Sequence, residues 1–206
     1  PLPAGVEGID HASVSRAVGG EPVFYVTGTA RWGSDGSLAG GVFRSDDGGR
    51  SWRCLNAGLV EGVYRGPDAA APQFTRVAPA AGNPDIAYVE CRRFPVRSDA
   101  EAVYGQPGGV MKTVDGGRTW RGGYRAAWDS RATNCTRECW ITRWNGPGGG
   151  SAIQLGVAPS DPDIVWRVTA MCSYRSTDGG ATWQETYSSW RPDGAAATNG
   201  MDGTTT

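Results

Sequence analysis

Histidine is all but missing from this sequence: His11 is the single one among 206 residues. A metal site built from several imidazoles is therefore excluded, and any Ser-His-Asp or Cys-His machine would have to be assembled around His11. Catalysis, if the chain performs any, falls to carboxylates, Tyr or Arg. Lysine is equally scarce. Among 20 basic residues only Lys112 is Lys, which together with the abundant Ala and Gly reads as a GC-rich coding bias. An excess of one charge sign is lacking too. Twenty basic against 21 acidic residues leave a net charge of −1, without the basic footprint of a nucleic-acid binder or a polybasic membrane patch. Apolar runs stay short of the roughly 20 residues that a membrane helix needs, so no membrane span is expected. The chain opens at Pro1 with no signal peptide and stops at Thr206 in polar sequence, which reads as a fragment or a processed piece.

Turn formers are what the sequence has in excess. With 32 Gly and 13 Pro, the two together make up about 22 % of the chain, against roughly 12 % in average usage. Five cysteines are present: Cys54, Cys91, Cys135, Cys139 and Cys172. Cys135 and Cys139 form a lone C-x3-C pair with neither a second pair nor a nearby His to complete four zinc ligands. They read as a local disulfide of an extracytoplasmic protein, beside the sequon Asn134-Cys135-Thr136. The other three fit equally well as unpaired thiols in strands. No cofactor and no metal are expected.

Three segments superimpose without gaps: Phe43-Arg-Ser-Asp-Asp-Gly-Gly-Arg-Ser-Trp52, Met111-Lys-Thr-Val-Asp-Gly-Gly-Arg-Thr-Trp120 and Tyr174-Arg-Ser-Thr-Asp-Gly-Gly-Ala-Thr-Trp183. Their aspartates Asp47, Asp115 and Asp178 lie 68 and then 63 residues apart, a period long enough for four strands with their loops. Each copy has a mechanical explanation as a hairpin turn. Gly49, Gly117 and Gly180 tolerate φ > 0, and the Asp carboxylate accepts hydrogen bonds from turn N–H groups, as do the hydroxyls of Ser45, Thr113 and Ser176. Trp52, Trp120 and Trp183 lie where each chain returns, so that burying the indole clamps the turn onto its sheet. These twelve residues announce a fold rather than an active site.

A second signal precedes two of the boxes. Arg76-Val-Ala-Pro with Asn83-Pro-Asp-Ile-Ala-Tyr-Val, and Gly156-Val-Ala-Pro with Asp161-Pro-Asp-Ile-Val-Trp, each read as a strand, a Pro/Asp turn and a second strand. One repeat is then strand A, turn, strand B, variable loop, strand C, Asp-Gly-Gly turn, strand D. The first copy fits more loosely, with A near residues 10–17 and B at 22–27. Four-stranded meanders at this period predict an all-β fold, a segment of a β-propeller. Residues 1–206 form a single partial propeller of three blades, approximately 8–55, 73–122 and 152–186. A tail, 187–206, leads into a further blade.

The boxes resemble the Asp-box (BNR) repeats of sialidases, of the propeller hydrolases that cut xyloglucan and of sortilin-type receptor propellers. The Pro-Asp turn between strands A and B places the chain nearer the latter two. A complete propeller has about 4 to 8 blades, so the resemblance implies that the remaining blades of a parent propeller are partners of this one. The cysteine reading adds the expectation of a secreted or periplasmic location.

In a meander blade the A–B and C–D turns lie at one end and the B–C and D–A loops at the other. The second end therefore receives residues 29–40, 56–72, 92–108, 122–151 and the tail after 186, and rigid scaffolds usually carry function on such loops. Five of nine tryptophans fall there: Trp32, Trp128, Trp140, Trp144 and Trp190. Flat rings suit the apolar faces of sugars, so these five with Arg131 are the expected substrate-binding set for an oligo- or polysaccharide. The competing reading is that long loops use Trp for local mini-cores. Glycoside hydrolysis needs two carboxyl groups flanking the scissile bond. Asp129, between Trp128 and Arg131, is the candidate catalytic acid, ahead of Asp35, Asp68, Asp99 and Glu101. Asp85, Asp161 and Asp163 sit at the box end and read as turn formers. The Phe/Tyr-Arg-Ile-Pro segment of sialidases is missing, since Arg93-Phe-Pro-Val runs in another order, so no sialidase catalytic residue is carried over. The expected function is glycan binding by a segment of a secreted glycoside-hydrolase-like protein, with glycoside hydrolysis as the activity if it is an enzyme. The alternative is a non-enzymatic propeller that binds protein ligands or serves as an assembly or receptor module.

Overall fold

The computed structural model describes residues 6–59, 71–93, 107–122, 154–168 and 172–188. They form three four-stranded antiparallel sheets, each a simple meander in which consecutive strands pair. The first contains β1 (Ile9–Arg16), β2 (Pro22–Trp32), β3 (Leu38–Ser45) and β4 (Arg53–Cys54). A short helix, α1 (Asn56–Leu59), follows it. The second contains β5 (Gln73–Ala80), β6 (Asn83–Arg93), β7 (Pro107–Thr113) and β8 (Arg121–Gly122). The third contains β9 (Gln154–Ala158), β10 (Asp161–Val168), β11 (Cys172–Ser176) and β12 (Gln184–Ser188). Cys54, Cys91 and Cys172 all fall in these strands.

The sheets pack face to face as blades. Residues of successive strand positions point to opposite faces, and β6 shows the consequence: its stretch from Ala87 to Cys91 is buried throughout, because the second sheet is covered on both sides. On one side Val77, Ala87, Val89, Cys91, Met111 and Trp120 join Val23, Tyr25, Val42, Leu55 and Leu59 in one core. On the other, Ala78, Tyr88 and Val110 meet Leu155 and Val165, with Val157 and Trp183 packed against them. First strands lie beside one another, β1 and β2 against β5 and β5 against β9, as strands around a propeller axis do. The Ser15 hydroxyl donates to Ala80 O at 2.5 Å and Ala17 bridges Gly82, tying the first two inner strands without merging their sheets.

Two segments read as loops from the sequence are more ordered than expected. The sequence assigns residues 29–40 to a loop, but β2 continues through Trp32 and β3 starts at Leu38. Only five residues turn between them. Asp35 Oδ1 accepts from Ser37 N at 2.9 Å and from its hydroxyl at 2.6 Å, and Gly33 N donates to Ser37 O at 2.7 Å, so the polar Gly-Ser-Asp-Gly-Ser stretch is a compact turn. Gly40, at φ 75°, passes so close to Thr29 O that any Cβ would overlap it. The start of the 56–72 segment is likewise not loop. Asn56 is buried, its Oδ1 accepting from Val42 N at 3.0 Å and its Nδ2 donating to Gly40 O at 2.8 Å, which staples α1 to β3 and carries Leu59 into the core.

Candidate functional site

At the box end the three hairpin turns have one chemistry. Asp47 Oδ1 accepts from the Ser45 hydroxyl at 2.8 Å, Arg50 N at 3.0 Å and Ser51 N at 2.9 Å, while Oδ2 accepts from the Ser51 hydroxyl at 2.5 Å. Asp115 takes the hydroxyls of Thr113 and Thr119 and Thr119 N in the same way. Asp178 does so with Ser176 and Thr182. Ser45, Thr113 and Ser176 in turn each accept from a box glycine, Gly49, Gly117 and Gly180, at 2.8 Å. The Ser51 hydroxyl and amide hold the Asp47 carboxyl well below its ordinary range, and Thr119 does the same for Asp115. Burial opposes the effect at Asp178, yet the Thr182 bonds prevail and its carboxyl is lowered too. Carboxylates engaged by this many donors are fasteners, not acids available to a substrate.

The box tryptophans reach further than their own turns. Trp120 is buried in the core shared by the first two sheets, against Gly58 of α1. Trp183 packs into the second core, where Gly180 separates it from the Tyr88 ring. They therefore join blades as well as clamping hairpins. Trp52 is half-buried.

The opposite end holds a cleft of about 390 Å³ between the first and second sheets, lined by Asp10, Thr29, Ala30, Gln73, Phe74, Thr75 and Arg76. Asp10 is at the start of β1, Thr29 is toward the end of β2, and Gln73 opens β5, so the cleft sits where the loops enter near the inner strands. Thr29 Oγ1 is 3.5 Å from Asp10 Oδ2. Thr75 donates its hydroxyl to Glu90 Oε2 at 2.8 Å, and Arg76 reaches back to Thr75 O at 2.7 Å. Beneath this rim Glu90 pairs with Arg167 at 2.6 Å, both almost fully buried. Next to Ala30 in β2, Arg31 pairs with Glu7. His11 is not poised for catalysis: its Nδ1 accepts from Val77 N at 3.3 Å. Burial and then the Arg76 charge hold its pKa below the ordinary imidazole value.

Of the expected loop residues, Trp32 is described: it ends β2 and is partly buried against the first core beside Leu38. Asp35 caps its own turn. Asp85 and Asp163 are at the box end, paired with Arg44 and Lys112 respectively. Asp129, Trp128, Arg131, Trp140, Trp144, Trp190, Asp68, Asp99, Glu101, Cys135 and Cys139 lie outside the described residues. Sequence reasoning missed Asp10, Thr75 and Arg76 at the cleft and the Glu90–Arg167 pair below it. A signal for the pair exists: Glu90 and Arg167, of opposite sign, each interrupt an apolar run, Ile86-Ala-Tyr-Val-Glu-Cys91 in β6 and Ile164-Val-Trp-Arg-Val168 in β10.

Meander sheets stacked face to face, with neighbouring first strands and a carboxylate-fastened hairpin between the third and fourth strands, define a propeller of Asp-box blades. The BNR/Asp-box repeat family matches residues 174–185, the third box and its flanks. The chain is accordingly a BNR-type, β-propeller-like protein. No curated protein matches its sequence. Among solved structures it is similar to the GH74 enzyme of Niastella koreensis, with 15 % identity, a TM-score of 0.47, 88 % of this chain covered and 23 % of that one. The chain thus spans about a quarter of that enzyme's length. Among the described residues no helix is long and apolar enough to cross a membrane.

Proposed function

We propose that the loop-bearing end of this propeller segment binds a glycan in an extracytoplasmic setting. One observation carries the reading: the cleft between the first two sheets combines a carboxylate (Asp10), two hydroxyls (Thr29, Thr75), an amide (Gln73) and a guanidinium (Arg76) around about 390 Å³. That volume lies within the roughly 300–1,000 Å³ of small-ligand pockets. A ring of donors and acceptors suits vicinal sugar hydroxyls, and the sequence expectation adds Trp128, Trp140, Trp144 and Trp190, with Arg131 next to Trp128 in the chain, as stacking and hydrogen-bonding candidates on the loops of a meander blade; Trp32, partly buried in the first core, is the weakest of the five. Were the bound glycan cleaved, Asp129 would be one of the two carboxyl groups that hydrolysis requires.

Titration of the chain with β-glucan, xyloglucan and sialylated oligosaccharides, followed by Trp fluorescence, tests this. Stacking and hydrogen bonding of a few sugar units should give dissociation constants roughly between millimolar and micromolar, or about −4 to −8 kcal/mol. Arg76→Ala and Trp128→Ala should each weaken binding about tenfold, the loss of one good hydrogen bond or stacking contact. Asp129→Asn should abolish any turnover while leaving binding in place. No fluorescence response to any of the glycans overturns the reading.

A further inference from the structure

The two seams between blades are closed by one repeated device. In the first, the Tyr25 hydroxyl donates to Pro84 O at 2.7 Å. Arg44, cross-strand from Tyr25, lies 5.4 Å over its ring and donates to Asp85 Oδ1 at 2.6 Å. In the second, the Tyr88 hydroxyl donates to Pro162 O at 2.7 Å. Lys112, cross-strand from Tyr88, lies 5.6 Å over the ring and donates to Asp163 Oδ1 at 2.5 Å. An aromatic donor and a cation on one blade thus grip the carbonyl and carboxylate of a Pro-Asp turn on the next. The box glycine of the gripped blade completes the seat. Gly116 N and Gly179 N each donate at 2.9 Å to the main-chain oxygen of that same aspartate, and a Cβ on either glycine would overlap the gripping cation.

The third sheet carries the gripping half again. Trp166 and Arg175 are cross-strand partners in the same register, with the guanidinium 5.8 Å over the indole. Yet Trp166 is 40 % exposed where Tyr25 and Tyr88 are 0 %. Arg175 Nε is buried without a hydrogen-bond partner, and Arg175 pairs with no carboxylate among the described residues. Arg44 has Asp46 in its own box as a second acceptor; the matching residue of the third box is Thr177. Across the sheet from Trp166, a Cβ on Gly156 would meet open space.

We propose that the Trp166–Arg175 face is the docking surface for a further Asp-box blade, whose Asx-Pro-Asp turn offers its proline carbonyl to the Trp166 indole N–H and its aspartate to Arg175. The occupant follows from continuity with the two seams and from charge complementarity. A second copy of this chain fits poorly. Its first sheet has Gly20-Glu21-Pro22 in the corresponding turn, with Pro22 in the place of the aspartate, and its other two turns are already gripped.

The test compares the full chain with the same chain carrying a copy of residues 55–122 after Thr206, which supplies one more connection, Asn-Pro-Asp turn and box. Amide exchange at Trp166 and Arg175 should slow about tenfold or more in the extended chain, and its thermal midpoint should rise. Arg175→Ala should remove both gains in the extended chain and leave the midpoint of the unextended chain unchanged. Arg175→Asp combined with Asp→Arg in the appended turn should restore them. Unchanged protection at Trp166 and Arg175 in the extended chain overturns the proposal. So does an unextended chain that sediments as a dimer and is split by Arg175→Glu.

Discussion

Arg44 of the first sheet stands 2.6 Å from Asp85 of the second, and the same guanidinium holds the Tyr25 hydroxyl at 2.9 Å and Asp46 of its own box turn at 2.6 Å. One buried cation therefore links two blades and a hairpin. The arrangement is asymmetric in burial: the Arg44 side chain is 8 % exposed and that of Asp85 53 %. Removal of the two ends should cost different amounts. Arg44→Ala strips three acceptors of their donor and leaves a void, and should lower the unfolding free energy by roughly 2–4 kcal/mol. Asp85→Ala removes a half-exposed carboxylate and should cost about 1 kcal/mol. Urea denaturation of the two variants checks the order; equal losses would refute it.

The second seam contains a different kind of pair. Glu90 and Arg167 are 1 % and 3 % exposed, with Arg167 donating through Nε at 3.0 Å and Nη2 at 2.6 Å to Glu90 Oε1. Thr75 occupies Oε2. Removing one partner strands a charge in the core, so Glu90→Leu and Arg167→Met should each cost about 3–5 kcal/mol. The double variant should recover most of that, because two apolar side chains need no compensation. A double-mutant cycle by chemical denaturation measures this. A double variant as unstable as the sum of the singles would contradict it.

The meander and its hairpins could be read from the chain because they are local: Asp-Gly-Gly with flanking hydroxyl residues dictates a turn within ten residues. What joins the blades was not legible. Tyr25, Arg44 and Asp85 come together only when two sheets stack, and nothing in the spacing of 25, 44 and 85 marks them as partners. The cleft at the loop end has the same origin, since Asp10 and Arg76 belong to different blades. His11 was correctly singled out as unique, but its employment by the Val77 amide depends on the packing of β1 on β5. Trp32 shows the limit of counting aromatic residues in loops: the ring lies at the end of a strand and is partly used in the core.

Packing between blades also separates the box tryptophans. Trp120 is buried among Leu55, Leu59 and Met111, whereas Trp52, in the first box, is half-buried. Trp120→Ala should cost on the order of 3 to 5 kcal/mol, as large core truncations do. Trp52→Ala should cost about 1 to 2 kcal/mol, the transfer of a partly covered ring. Denaturation midpoints and slopes for both give the answer, and a Trp52 variant as damaged as the Trp120 variant would show the two boxes to be equivalently covered.

Acid should loosen the hairpins before the sheets. The carboxyls of Asp47, Asp115 and Asp178 all sit below the ordinary value of 3.8, so the unfolded chain binds protons more readily than the folded one over that range. Stability linked to them is therefore complete above roughly pH 5 and is lost as pH falls through 4 and below. Asp115→Asn removes one such group: the amide keeps an acceptor for Thr119 N but turns a donor toward the Thr119 hydroxyl, which now donates to Oδ2 at 2.6 Å. The variant should be less stable than the parent at pH 7, and the gap should shrink as the pH is lowered to about 2.5, because over that range the unfolded parent takes up a proton that the folded carboxylate refuses. Urea denaturation at pH 7, 4 and 2.5 follows the gap directly. A difference that widens on acidification would mean that the box carboxylate is not the charged fastener its hydrogen bonds describe.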